Sequence, residues 1–215
     1  MNIIVRYTGG SDAEVEMVAR PQPSMLHQPA GSLKCWAYAL SSWMAVTRGR
    51  KPTGPEAIIA ACRSFCVFGS DALNPKFIDR VLESPFIRMG WKVLDGTRLD
   101  LAEVDILLHF GYIYVIADVK RSPLAVGAPP PSHARLIYKN TDPKLVATSG
   151  ATAQLGVMDP ITGDTLWDLS DVANFNLILG FLQEDLNDSA ATPPFEQWFA
   201  RVNNKEVAQF TPAAP

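Results

Sequence analysis

Residues 26–46 read LHQPAGSLKCWAYALSSWMAV. A loop containing Pro29 and Gly31 gives way to an apolar run in which Trp36, Leu40, Trp43 and Thr47 recur at helical spacing, with Gly49 as the stop. The stretch therefore predicts a helix with Cys35 in its first turn. Backbone N–H groups at a helix start have no partner within the helix, and the helix dipole is positive there. Both favour a thiolate, and Lys34 adds a neighbouring positive charge. This setting suits a nucleophile. It predicts that Cys35 alkylates in preference to Cys62 and Cys66, and does so below pH 7. The two tryptophans read as core.

A nucleophilic thiol needs a base, and the base needs an orienting group. The chain holds three histidines. His27 would serve only if its loop folded back. His109 closes an apolar helix and suits packing or capping. His133 opens a strand after the Pro-rich stretch 122–132, SPLAVGAPPPS, where a side chain can face a cleft. Asp159, in VMDPITG (157–163), ends a strand at a turn and is the first choice for the orienting acid. Asp142 and Asp164 are alternatives, because Asp before Pro is also an ordinary turn residue. Gln28 can offer its side-chain amide to an oxyanion together with the backbone N–H of Cys35.

Composition narrows the field. Of 215 residues, 47% are hydrophobic and 19% charged, which favours one folded domain over disorder. A net charge of −3, with no basic run interleaved with aromatics, argues against nucleic acid as a partner. The longest apolar run, ILLHFGYIYVIADV, is too short to span a membrane. The first residues lack the basic-then-apolar pattern of a signal peptide, so the expected location is the producer's cytoplasm, or outside it by a route that reads no such signal. Three cysteines make no disulfide framework. Cys62 and Cys66 have no histidine beside them, so neither a metal nor any other cofactor is expected, and they read as buried structural thiols.

Along the chain, residues 1–20 suggest two strands around Gly9-Gly10. Helices are expected over 56–65, over 76–82, and over 99–110, the last opened by Asp100 with Glu103 three residues later and closed by Gly111. Five short β-branched or aromatic runs follow at 112–119, 133–140, 154–159, 164–170 and 174–182, and read as one largely antiparallel sheet. A last helix is expected over 194–202, and 211–215 as a frayed tail. Helices first and strands after predict an α+β fold.

Gln28, Cys35-Trp36 opening a long helix, His133-Ala134 opening a strand, and Asp159, in that order, resemble the papain-like cysteine peptidases, in particular their compact bacterial secreted-effector branch. LLHFGYIYVIADV ahead of the histidine and MDPITGD with an aromatic strand after it belong to the same likeness, which covers about residues 22 to 183. It implies a papain-like fold in which the helix carrying Cys35 packs on a C-terminal antiparallel sheet carrying His133 and Asp159. It implies Cys35 as nucleophile, His133 as general acid and base, Asp159 as orienting residue and Gln28 as oxyanion donor. The expected organisation is an extension at 1–21, a peptidase domain at 22–183, and a helix and tail at 184–215. Lys34 and the insert 140–154 depart from the family pattern, and papain has Asn where this chain has Asp159. Because an ionised thiol asks little of its third residue, Asp159→Asn is expected to keep much of the rate.

The implied activity is hydrolysis of a peptide or isopeptide bond through a thioacyl-enzyme, with an exported bacterial effector or toxin as one setting. A protein or peptide is the expected substrate, and a cognate inhibitor or immunity protein a further partner. Two other readings stand beside it: a peptidoglycan amidase with the same Cys-His chemistry, and an inactive protease fold used as a binding module.

Overall fold

A computed structural model describes residues 2–6, 12–16, 22–24, 26–48, 53–87, 89–94, 99–117, 133–141, 148–150 and 152–181. The expected stop at Gly49, the Pro-rich loop, Asp142, the helix at 194–202 and the tail lie outside these residues. Strands β1 (Asn2–Arg6) and β2 (Asp12–Glu16) form an antiparallel pair.

Helices α1 (Cys35–Arg48), α2 (Pro55–Ala61) and α3 (Ile78–Leu82) come next. The helix expected over 56–65 is α2 followed by a 3₁₀ turn at Arg63–Phe65, and the one expected over 76–82 begins as a 3₁₀ turn at Pro75–Phe77. Strand β3 (Gly90–Leu94) was not foreseen. Helix α4 (Leu101–Phe110) starts at a full capping box. The Glu103 N–H donates to Asp100 Oδ1 at 2.8 Å, and the Asp100 N–H to Glu103 Oε2 at 2.9 Å.

The five expected strands are β4 (Tyr112–Ala117), β5 (Ala134–Asn140), β6 (Gln154–Asp159), β7 (Gly163–Asp168) and β8 (Phe175–Phe181). With β3 they form one antiparallel sheet in the order β3-β8-β4-β5-β6-β7. The α+β architecture is thus as expected, with α1 packed on an antiparallel sheet.

Alternation along each strand divides the core. Tyr112, Tyr114, Ile116, Leu136, Tyr138, Met158 and Ile178 pack with Trp36, Leu40 and Trp43 of α1 and with α2 and α3. Ile113, Val115, Ile137, Leu155, Val157, Leu177 and Leu179 pack with Leu101, Val104, Leu107 and Leu108 of α4. The sheet is therefore buried on both faces, and α4 lies opposite α1 rather than beside it.

Trp36 and Trp43 are fully buried, as read. Trp43 Nε1 donates to Tyr112 O at 2.8 Å, and a Cβ placed on Gly180 would lie 2.5 Å from the Trp43 ring. Glycine at 180 lets the helix that begins with Cys35 sit against the middle of the sheet.

Candidate active site

The first turn of α1 turns one backbone donor onto its own cysteine. Lys34 O accepts from the N–H groups of Ala37 (2.9 Å) and Tyr38 (3.2 Å), while the Trp36 N–H hydrogen-bonds the Cys35 sulfur. A second backbone N–H on that sulfur comes from Ala134, the residue after His133. The topology thus delivers the start of β5, beside His133, to the start of α1.

Cys35 is only 4% exposed. Its thiol is pushed up to about 11, with burial the largest cause. The N–H groups of Ala134 and Trp36 pull it down, and Asp159 and Arg135 act in opposite senses. Lys34 is not turned to the sulfur: its Nζ lies 2.9 Å from Glu56 Oε1 and 3.5 Å from Asp71 Oδ2. Two premises of the expected reactivity below pH 7 are therefore not met: Lys34 is engaged elsewhere, and burial raises the thiol. Desolvation outweighs the helix start and raises the thiol, against that expectation.

Asp159 is buried, its side chain 2% exposed, and its two oxygens do different work. Oδ1 accepts the N–H groups of Ile161 (2.7 Å) and Thr162 (3.3 Å), closing the turn between β6 and β7. Gly163 completes that turn at φ +88, where a side chain would be strained. Oδ2 meets His133 Nε2 at 2.7 Å. Burial raises the carboxyl, but the bonds from His133, Ile161 and Arg135 outweigh it and hold the group well below the usual carboxylate range. An ionised carboxylate only accepts, so Nε2 carries the hydrogen, and in the neutral ring Nδ1 is the nitrogen with a free lone pair.

Of the alternatives, Asp164 takes a hydrogen bond from Gln22 Nε2 on the outer side of β7. His27 is exposed, and His109 falls on α4, against the other face of the sheet.

Gln28 is buried on the loop ahead of α1. Its N–H donates to Pro160 O at 3.0 Å, tying it to the residue after Asp159, and its Nε2 donates to Ser32 O at 2.9 Å. Ser42 Oγ holds the same loop through Ser24 O at 3.1 Å. The four candidate residues thus lie on three segments that converge at one end of the sheet.

Arg135 was missed by sequence reasoning. Its Nε donates to Asp159 Oδ2 at 2.6 Å, and its guanidinium lies over Trp167, 4.5 Å from the ring centroid. The signal was present in His133-Ala134-Arg135: residues two apart on a strand share a face, so an arginine there stands beside the histidine. Cys62 is buried, and burial pushes its thiol up to about 11. Cys66 is partly exposed, and both are free. Among the described residues there is no cluster of His, Cys, Asp and Glu that could hold a metal, and no helix is long and apolar enough to cross a membrane.

No family model matches the chain, and no curated protein does. A similar solved structure is a double glycine motif protease from an AMS/PCAT transporter, in complex with the leader peptide. The two chains share 13% identity over 75% of this chain and 93% of that one, with a TM-score of 0.45.

Proposed function

We propose that this chain is a papain-like cysteine peptidase, with Cys35 as nucleophile, His133 as general base and acid, Asp159 as orienting residue and Gln28 as oxyanion donor. The observation that carries the reading is the backbone N–H of Ala134 on the Cys35 sulfur, with the adjoining His133 anchored through Nε2 to a buried carboxylate 2.7 Å away.

The chemistry follows from those contacts. Nδ1 of His133 takes the thiol proton as the sulfur attacks the substrate carbonyl carbon. The carbonyl π pair moves to oxygen. Gln28 Nε2 spends one hydrogen on Ser32 O and has a second for that oxyanion, beside the Cys35 N–H. Collapse of the intermediate breaks the C–N bond, and the imidazolium gives its proton to the leaving amine. Water, deprotonated by the same ring, then cleaves the thioacyl-enzyme to the acid and regenerates the thiol.

The test is incubation of the full chain with a panel of folded and denatured proteins and, in parallel, purified peptidoglycan, with products read by mass spectrometry. Cleaved peptide bonds that disappear in Cys35→Ala support the proposal. Release of wall fragments alone would move the chain to the amidases. No product from either, with no trapping of Cys35 by an epoxide inhibitor, would leave a binding module.

A further inference from the structure

Two cationic or potentially cationic donors share one oxygen. His133 Nε2 and Arg135 Nε lie 2.7 and 2.6 Å from Asp159 Oδ2. Such sharing is not required by the fold, since Oδ1 alone closes the turn. Arg135 is set for this position. It lies one step beyond the Leu136–Met158 pair of β5 and β6, and its guanidinium is stacked on Trp167, which packs on Phe175 with ring centroids 5.2 Å apart. The guanidinium keeps its charge at any pH of interest.

We infer that Arg135 is a positioning residue that divides the Asp159 carboxylate with His133, so that the ring is oriented by the anion without being held protonated by it. The inference rests on the peptidase reading and deepens it. A buried carboxylate facing the imidazole alone would favour imidazolium, and a protonated ring has no lone pair with which to take a thiol proton. Arg135 draws off part of that field. The same guanidinium acts on the Cys35 thiol in the sense opposite to Asp159. Among the described residues, Asp159 from β6 meets the ring, Arg135 on its own strand shares that carboxylate oxygen, and Asp159 and Arg135 both act on Cys35 of α1. Tyr114 of β4 lies near Cys35, and Asp164 of β7 is engaged by Gln22 and Tyr138.

The experiment follows Cys35 alkylation by iodoacetamide in the full chain across pH, using peptide mass spectrometry, with circular dichroism to confirm folding. Wild type should show an acid limb, below which labelling slows. In His133→Ala that limb should vanish. Arg135→Gln should move it by about one pH unit toward alkaline pH, labelling about tenfold more slowly on the limb. Arg135→Lys, which keeps the charge, should stay near wild type. Trp167→Leu, which frees the guanidinium without removing it, should shift the limb the same way by less. If His133→Ala abolishes the limb while folded Arg135→Gln and Trp167→Leu leave it unchanged or shift it to acid, the Arg135 inference is overturned and the Cys-His reading stands. A limb that survives His133→Ala overturns the reading itself, and the Arg135 role with it.

Discussion

Asp159 receives four donors, two on each oxygen: the N–H groups of Ile161 and Thr162 on one, His133 and Arg135 on the other. An asparagine has one accepting oxygen. Its NH₂ must face either the turn or the histidine, and in both places it meets a donor. The expectation that Asp159→Asn would keep much of the rate came from a thiol already ionised, and the burial that raises the Cys35 thiol works against that premise. Asp159→Asn should therefore lose turnover almost as fully as Asp159→Ala, on the order of 10- to 100-fold, and should cost about 1–3 kcal/mol of stability for the donors left buried. Steady-state rates and urea midpoints of both variants check this, and an Asn variant at half the wild-type rate would restore the simpler picture. Cys35→Ala and His133→Ala should each lower hydrolysis on the order of 10⁴-fold or more, and the double variant should be no worse than either single one, because the pair acts as a unit. The acid was legible in the sequence as a strand end at a turn. Its second duty was not, because which donors reach a carboxylate depends on register between strands far apart in the chain.

At the scale of elements, α4 separates stability from chemistry. Its capping box lies on the side of the sheet away from Cys35. Asp100→Ala should cost about 1 kcal/mol in urea unfolding and leave the rate per folded molecule unchanged. Gly180→Ala should do more harm from a greater distance in sequence. Its methyl meets the Trp43 ring, the overpacking should cost about 1–3 kcal/mol, and the displaced α1 should lower the rate as well. The capping box and the helix at Cys35 could be read directly because they are local patterns. The two-faced sheet was half legible: YIYVIA and NLILGF are apolar at nearly every position, as expected of strands buried on both sides. Strand β3 was illegible because GWKVL shows weak alternation and earns its place only as an edge paired with β8.

For the molecule as a whole, acid is the revealing perturbation. Asp159 binds its proton less readily in the folded chain than in the unfolded one, so its contribution is fully present above the ordinary carboxylate value near 4 and is lost as pH falls below it. Wild type should lose stability between about pH 4 and 2 more steeply than Asp159→Asn. Urea midpoints at pH 7, 4 and 2 measure the difference, and parallel declines would show that Asp159 carries none of it.

The place of β8 sets a clock. It is the last of the described strands in the chain, yet it lies between β3 and β4, and Ile178 and Gly180 form part of the floor beneath α1. A ribosome makes Cys35 early and its floor late. Until residues 175–181 emerge, α1 has no complete surface to settle on. Until β8 emerges, the nascent chain lacks the packed surface on which the candidate site is built. Ribosome-bound chains stalled before residue 175 should not cleave substrate, and chains stalled with β8 clear of the exit tunnel should.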